Sequence, residues 1–257
     1  MRIVIIGGGM LATALLAEAE RRGIAATSIS HRSIDVTNLS SVSVTLNAAL
    51  LPGDVVVNCA GVRPGGSAID MVLTNSLGPW ILASVIERVP RVRMIHVSTD
   101  CVFSGSSGQS PVRHGTDEAP NPDSIYGRTK LAGEVDAPCV TNVRTSFVGP
   151  DHGLWAWIAS QPKHAVIEGW NGAWWSGSTV WAVAEALIRL CHWPTDNVEH
   201  IAVGMPQTKF EVVTELVKHI GRDDIRVVPS DTYRIDRSLR PTYRLEPFSQ
   251  ALAGAPA

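Results

Sequence analysis

The sequence of 257 residues lacks several features that would place it in a specialised class of protein. Its four cysteines are widely spaced, with no Cys-x-x-Cys pair and no cysteine and histidine cluster at the spacing of zinc ligands. We therefore expect reduced thiols, a cytoplasmic location and no metal site. Lysine and arginine (22) nearly balance aspartate and glutamate (24), and the net charge of −2 argues against nucleic acid or an acidic membrane as a partner.

Long apolar runs are also missing. No run reaches the roughly 18 residues that a transmembrane helix needs, so we predict no membrane span. The N-terminal apolar run, residues 2–6, is short and leads into glycines, which is typical of a strand and its turn rather than of a signal peptide. A chain of this length can form one large domain, or a main domain with a smaller lobe, and a small molecule is the expected partner.

Apolar strand patterns alternate with helical patterns along the first half of the chain. The strand patterns cover residues 2–6, 26–30, 54–58, 92–97 and 139–144. Helical periodicity separates them, for example over residues 39–51 and 71–88. This alternation predicts an α/β fold with a doubly wound parallel sheet of the Rossmann type.

The alternation loosens in the second half. Its patterns are helices over residues 178–190 and 210–220 and short strands over residues 201–203 and 225–228. We predict a dinucleotide-binding core over residues 1–146, to which later segments return, and a small, mainly substrate-binding C-terminal lobe over residues 147–257. The end of the chain, residues 251–257, is expected to be frayed.

Glycines follow the first predicted strand. Gly7, Gly9 and Ala12 fit the pattern Gly-x-Gly-x-x-Ala, with Met10 and Leu11 inside it. The glycines permit a tight turn and a close approach of a pyrophosphate to helix N–H groups, and alanine lets the helix pack on the strand. The pattern predicts a dinucleotide site, whereas the structural alternative is a plain connector.

The second predicted strand, residues 26–30, ends at His31, Arg32 and Ser33, with no acid at this place. In a nicotinamide-binding fold an acid at this place holds the ribose 2′-hydroxyl, and a basic residue accommodates a 2′-phosphate. We therefore predict NADPH as the cofactor, with NADH as the second option and an exposed arginine without a ligand as the alternative. Asp35 either caps the helix over residues 39–51 or reaches the adenine amino group.

Small residues follow Asn58, where the third strand ends. Cys59, Ala60 and Gly61 would let a cofactor pass over the carboxyl ends of the strands, where ligands of open parallel sheets bind. The next helix, over residues 71–88, is expected to bend at Gly78 and Pro79.

Three polar residues suit the reduction of a carbonyl. Thr99 ends the fourth strand, and Tyr126 and Lys130 lie four apart on a predicted helix, so they share a face. A fixed lysine favours the phenolate and would lower the tyrosine pKa from its usual value of about 10. The three together predict a proton-transfer site.

The second half is rich in tryptophan and ends in arginines. The tryptophans are Trp155, Trp157, Trp170, Trp174, Trp175 and Trp181. Most are expected to pack in the core, with stacking on a substrate ring or a place in a homodimer interface as the alternatives. Arg237, Arg240 and Arg244 could bind a diphosphate or be ordinary surface residues.

Several motifs together resemble the extended short-chain dehydrogenases/reductases, and more narrowly their dTDP-4-dehydrorhamnose reductase branch. They are STDCVFSG, NPDSIYGRTKLAGE, RTSFVGP, Asn75, Pro79 and the tail Arg240-Pro241-Thr242-Tyr243. The resemblance implies that Thr99, Tyr126 and Lys130 are catalytic. The substrate would contact Thr99, Asp100, Phe147 and Arg240. The cofactor would contact Gly7, Gly9, Met10, Leu11, Ala12, Arg32, Asp35, Val36, Cys59, Ala60, Gly61, Val62, Tyr126 and Lys130.

The sequence departs from this branch in three respects. The glycine turn is one residue shorter than usual, Phe147 stands where tryptophan is common, and the chain is shorter than most members. The function implied is the NADPH-dependent reduction of a keto group, at C4, on a nucleotide-activated deoxysugar. The alternatives are a sugar-nucleotide epimerase with retained NAD and a non-catalytic NADP-binding regulatory subunit. A 4,6-dehydratase is disfavoured, because that family needs a glutamate where Cys101 follows Asp100.

Overall fold

The computed structural model describes residues 1–105, 110–193 and 197–255. The strands of these residues are Ile3–Ile6 (β1), Ala26–Ile29 (β2), Val55–Asn58 (β3), Arg93–Val97 (β4), Val140–Arg144 (β5), Phe147–Val148 (β6), Val166–Trp175 (β7), Ser178–Thr179 (β8), Val198–Val203 (β9), Gln207–Thr208 (β10), Arg226–Asp236 (β11) and Tyr243–Leu245 (β12). The α-helices are Met10–Arg21 (α1), Leu39–Ala49 (α2), Ala68–Met71 (α3), Gly78–Ile86 (α4), Ile125–Ala132 (α5), Leu154–Ala159 (α6), Val180–Leu190 (α7), Lys209–His219 (α8) and Phe248–Ala253 (α9).

Seven strands form the main sheet, in the order β12-β9-β5-β4-β3-β1-β2. Neighbouring strands run parallel, and the predicted doubly wound sheet of the Rossmann type is confirmed. In β1, Ile3 and Ile5 join the core beneath α1 and α7, whereas Val4 and Ile6 join the core beneath α2 and α4. Successive side chains of a strand point to opposite faces, so a continuous apolar run fits a sheet that is covered on both faces.

The order of the strands places a crevice beside β1. The chain moves from β1 to β2 on one side and then returns to β3 on the other. Ligands of such sheets bind where the direction reverses, outside the carboxyl ends of the strands. The glycine turn after β1 and the small residues after β3 lie at this place.

The helix predicted over residues 71–88 begins earlier, at Ala68, and contains a π-helix, Val72–Leu77, between α3 and α4. Pro79 has no N–H to donate to the carbonyl of Asn75, which interrupts the regular α-helical ladder. Gly133 packs onto this carbonyl, since a Cβ on Gly133 would lie 3.0 Å from the carbonyl carbon. The bend that was predicted at Gly78 and Pro79 is therefore a π-helix immediately before them.

The same helical span bears on the prediction of no membrane-spanning helix. Residues 68–86 are long and apolar enough to cross a membrane by length and composition alone, although 44% of the window is buried. Asp70 and Asn75 interrupt the apolar run, so the sequence pattern did not reveal it. Core helices of globular proteins pass the same test, and Leu82 and Ile86 are fully buried against the sheet.

The second half forms a smaller sheet and also completes the main one. Strand β7 pairs with β11 in parallel and with β10 in antiparallel orientation. Helices α6, α8 and α9 cover a separate apolar cluster on this sheet. Meanwhile α7 packs against α1, and β9 and β12 extend the main sheet.

Two local expectations were wrong. Asn38, and not Asp35, caps α2, because the Asn38 side chain accepts a hydrogen bond from the N–H of Ser41. The end of the chain is not frayed over residues 251–255, since α9 buries Phe248 and Leu252; residues 256–257 lie outside the described residues. Capping by a residue next to the helix is better placed geometrically than capping from three residues earlier.

Candidate active site

The first strand ends in the glycine turn that begins α1. Gly7 has a φ of +128°, a conformation that favours glycine, and a Cβ there would lie 3.2 Å from the backbones of Cys59 and Ala60. Gly9 is the N-cap of α1 and has no side chain, so it leaves the first N–H groups of a twelve-residue helix to other partners. This arrangement suits a phosphate group.

A cleft of about 570 Å³ lies beside the turn and is suited to the adenosine part of a dinucleotide. Gly7, Asp35 and Val36 line it. The Asp35 carboxylate accepts hydrogen bonds from the hydroxyl and the N–H of Thr37, which lower its pKa. His31 also lines this cleft, whereas Arg32 is exposed beside it.

A second cleft, of about 300 Å³, continues from the first across the ends of β1 and β3. Gly9, Cys59, Ala60 and Gly61 line both clefts. The second cleft is also lined by Met10, Leu11, Ala12, Val62, Arg63, Val97, Ser98, Tyr126, Lys130, Phe147, His152, Gly153 and Leu154. Every predicted cofactor residue except Arg32 therefore lies along one groove.

Lys130 is fixed at the floor of the second cleft. Its side chain is buried, and Nζ donates a hydrogen bond of 2.7 Å to the carbonyl of Val97 in β4. Burial lowers the pKa of Lys130 to about 8, while the charge of Glu134 acts in the opposite direction. The side chain is thus mainly an ammonium at neutral pH and loses its proton as the pH rises through about 8.

Tyr126 lies one turn before Lys130 on α5 and lines the same cleft. Burial is the main influence on this phenol and raises its pKa well above the usual value; Cys101 raises it further, and a hydrogen bond with Thr99 lowers it. The predicted lowering of this pKa by Lys130 is therefore not what the structure shows. The reason is that the ammonium points to the carbonyl of Val97.

Thr99 and Asp100 begin a 3₁₀ turn, Asp100–Val102, after β4. The Thr99 hydroxyl accepts a hydrogen bond from the N–H of Cys101 (3.2 Å) and lies 3.2 Å from an Asp100 carboxylate oxygen. Helix α5 approaches this turn closely, because a Cβ on Gly127 would lie 3.1 Å from the carbonyl carbon of Cys101 and closer still to its oxygen. That approach brings Tyr126 to Thr99.

A third cleft, of about 280 Å³, opens on the other side of Asp100, towards the smaller sheet. The rings of Trp170 and Tyr233 lie 4.7 Å apart and tilted by 52° along its wall. Lys209 Nζ sits 4.2 Å above the Trp175 ring, and burial lowers the pKa of Lys209 to about 8. Arg237 lies beside them. Aromatic walls with two cations suit a base linked to phosphates.

The structure places the two tail arginines differently. Arg240 pairs with Asp117 at 2.7 Å on the exposed surface, whereas Arg237 donates to the carbonyl of Phe103 and to Asp123 and lines the third cleft. Lys209 was missed altogether.

The six tryptophans singled out from the sequence differ in their surroundings. Trp181 packs between the main core and the core of the lobe, and Trp157 is exposed. Trp155 and Trp175 belong to the core of the lobe, and Trp170 and Trp174 line the third cleft. The Trp174 Nε1 atom is buried without a hydrogen-bond partner among the described residues. The described residues contain no cluster of three histidine, cysteine or acidic side chains that could hold a metal ion.

Comparisons with known proteins agree with this fold. Over 158 residues, 57% of this chain, the sequence is 37% identical to a dTDP-4-dehydrorhamnose reductase of Mycobacterium tuberculosis, and the chain spans about half the length of that relative. It is 27% identical to a dTDP-4-keto-6-deoxy-D-glucose reductase of Streptomyces niveus, covering 94% of this chain and 86% of the relative.

A solved structure shares nearly the whole architecture. It is a dTDP-4-dehydrorhamnose reductase from Bacillus anthracis in complex with NADP, with a TM-score of 0.82 and 18% identity over 98% of this chain and 97% of that one. At this identity the likeness shows the fold alone. The family model described as the RmlD substrate binding domain matches residues 1–153, which include the glycine turn, Thr99, Tyr126 and Lys130. Because that match covers more than half of the sequence, the chain belongs to the RmlD substrate binding domain family.

Proposed function

We propose that the protein is an NADPH-dependent reductase that acts on the C4 keto group of a nucleotide-activated deoxysugar. One observation carries the proposal: the Tyr126 phenol is hydrogen-bonded to the Thr99 hydroxyl, and Tyr126 and the fixed Lys130 both line the groove that the glycine turn begins. The names of the relatives, two dTDP-4-ketosugar reductases, support a dTDP-linked 4-ketosugar as the substrate.

The groove fits a dinucleotide phosphate. Gly7 allows the backbone of β1 to approach that of β3, and the start of α1 offers free N–H groups to a pyrophosphate. The adenosine part would lie between His31 and Asp35, and the nicotinamide part between Tyr126 and Phe147. When bound, NADPH supplies the hydride for the reduction.

The protein groups supply the proton and hold the carbonyl. Tyr126 keeps its proton at neutral pH because burial raises its pKa, so it can donate that proton to the alkoxide that forms. The Thr99 hydroxyl holds the carbonyl oxygen, and the nearby Lys130 ammonium stabilises negative charge.

The third cleft would receive the nucleotide end of the substrate. It begins at Asp100, next to the proposed catalytic threonine, and continues to the Trp170 and Tyr233 rings. A thymine ring would stack there, and Lys209 and Arg237 would neutralise the diphosphate. This places the sugar between the second and third clefts.

The test is a panel of nucleotide 4-ketosugars, with the loss of NADPH and of NADH followed by absorbance. The Tyr126→Phe variant should lose turnover while its affinity for NADPH changes little, because the ring is kept and only the proton donor is removed. Turnover retained by this variant would contradict the assignment. Purification with bound NAD and no net use of NADPH would favour the epimerase instead.

The proposal includes a homodimer formed through the apolar face of residues 68–86. Its exposed apolar side chains are Ile69, Val72, Leu73, Leu77 and Trp80, and Ile125 of the neighbouring α5 is also exposed. Such a face is unusual on a monomer. Ile69→Glu should halve the mass in light scattering, whereas Val44→Asp, on an equally exposed residue of α2, should not. An unchanged mass, or recovery of the chain with membranes, would refute the interface.

We also place the protein in the cytoplasm. The cysteines Cys59, Cys101, Cys139 and Cys191 are free thiols. Burial raises the pKa of Cys59 and of Cys101 to about 12, so neither forms a reactive thiolate at neutral pH.

A further inference from the structure

We propose that Glu134 is a positioning residue of the reductase, whose carboxylate fixes the ends of β4 and β5 to the helix that carries Tyr126 and Lys130. The inference rests on the proposed function of this site. It assigns a role to a buried carboxylate that lines none of the three clefts.

The Glu134 carboxylate joins three elements. It follows α5 by two residues and accepts a hydrogen bond of 2.7 Å from the hydroxyl of Ser98, the residue before Thr99. It also accepts two hydrogen bonds from Arg144 at the end of β5, at 2.9 and 2.8 Å. Together with the bond from Lys130 to Val97, this group therefore ties the strand end that carries Thr99 to the helix that carries Tyr126.

The ion pair of Arg144 and Glu134 is buried, and Phe103 and His200 pack against Arg144. The side chains of Arg144 and Glu134 are only 4% and 8% exposed. The Arg144 guanidinium also lies 5.4 Å above the ring of Phe103 and 3.5 Å from Nε2 of His200, whose pKa burial lowers to about 4. Because His200 is then neutral, Arg144 and Glu134 balance each other's charge inside the fold. A buried pair of this kind holds its geometry, since breaking it leaves a charge unpaired.

The charge of Glu134 also acts on Lys130. Glu134, and Cys59 just after β3, act to raise the pKa of Lys130 against the larger effect of burial. His96, from β4, faces the same ammonium, and its own pKa is lowered by burial and by Lys130. Of the three neighbours Glu134, Cys59 and His96, Glu134 is the one that carries a carboxylate. Removal of this charge should therefore lower the pKa of Lys130 further and reduce the fraction of Lys130 that is protonated.

The first test measures Lys130 without any substrate, so that it is independent of the proposed function. The chain has four lysines, Lys130, Lys163, Lys209 and Lys218, and lysine labelled with ¹³C at Cε gives four signals that can be assigned with Lys→Arg variants. In Glu134→Gln the titration midpoint of Lys130 should fall by about one pH unit. The midpoint of Lys209 should not change. An unchanged midpoint of Lys130 would overturn the charge effect.

The second test measures turnover in the variants. Glu134→Gln should lower kcat about tenfold or more, with the alkaline limb of its pH profile moved to lower pH, because a small displacement of catalytic groups is costly. Ser98→Ala keeps the carboxylate and deletes one bond, so it should lower kcat without moving the limb. Glu20→Gln, an exposed change on α1, is the matched control. A variant that loses thermal stability but keeps kcat and the limb would show a merely structural role.

Glu134→Asp keeps the test valid if Glu134→Gln does not fold. The shorter side chain retains the charge, so the Lys130 midpoint should stay near that of the unaltered protein, while kcat falls because Ser98 is no longer reached. Full kcat in Glu134→Asp would overturn the positioning role. If the unaltered protein reduces no 4-ketosugar, the proposed function fails, and the lysine titration still decides whether Glu134 controls Lys130.

Discussion

Gly127 allows α5 to approach the turn that carries Thr99, and Gly127→Ala should separate the catalytic groups. A Cβ on Gly127 would lie 3.0 Å from Pro122 Cβ and 3.1 Å from the carbonyl carbon of Cys101, and closer still to the carbonyl oxygen. Ordinary contacts of this kind begin at 3.4 Å. Because the obstacle is backbone, the helix itself must move, and we expect a displacement of about 1 Å.

The displacement should affect stability little and catalysis strongly. Alanine has a better helix propensity than glycine by about 1 kcal/mol, which offsets part of an overpacking cost of about 1–3 kcal/mol, so the loss of stability should be small. Catalysis should suffer more, since a misplacement of about 1 Å costs about a hundredfold in rate. At 1.36 kcal/mol per tenfold, this is about 2.7 kcal/mol of transition-state stabilisation.

The assay compares kcat/KM, from the loss of NADPH absorbance, with stability from urea unfolding. Gly254→Ala is the matched control, because a Cβ there would meet only the carbonyl oxygen of Gln250 at 3.8 Å and of Ala251 at 4.0 Å. We expect Gly127→Ala to lose activity while NADPH still binds. Equal kcat/KM in the two variants would refute the view that the close approach of α5 positions Tyr126.

Three further results are expected. Activity should decline as the pH rises through about 8, because burial lowers the pKa of Lys130 to that value and the ammonium is lost above it; a flat kcat profile across this range would contradict the role of Lys130. Trp170→Ala should raise KM for the nucleotide sugar about tenfold or more, through lost stacking, without changing the Kd of NADPH measured by calorimetry. Arg144→Met should lower the free energy of unfolding by about 3–5 kcal/mol because Glu134 is left buried and unpaired. For Arg144→Met, a loss below about 1 kcal/mol in the free energy of urea unfolding would contradict this expectation.

The first half of the fold could be predicted because its signals are local. The strands β1 and β3 are runs of β-branched residues buried on both faces, and each is followed by small residues and a helical pattern. The predicted boundaries of these strands and helices lie within a few residues of the observed boundaries. Tyr126 and Lys130 could be predicted to share a face for the same reason, since a helix fixes the relation of residues four apart.

The second half was harder because its decisive contacts join distant segments. Strand β7 holds two glycines and three tryptophans, which hide its period of two, and its partner β11 lies more than fifty residues later. The α9 helix had a signal that could have found it, since Phe248 and Leu252 are apolar and four apart. Small residues around them made the segment look like a frayed end.

The same limit applied to the site. Lys209 reaches the third cleft because the smaller sheet carries α8 towards Asp100, and nothing in its own sequence neighbourhood indicates that. The choice between Arg237 and Arg240 depended on which of them faces the turn after β4. The pKa of Tyr126 depended on the direction of the Lys130 ammonium, which the spacing of the two residues does not determine.

The pairing of β5 with β9 has a consequence for synthesis of the chain on the ribosome. The outer edge of β5 is covered only when residues 198–203 arrive, after the strands of the smaller sheet have been made. Until then, a nascent chain presents an unpaired strand edge, which favours association with other chains. The residues that match the family model, 1–153, include β5 but not β9. We therefore expect chaperones to shield this edge of β5 during the interval.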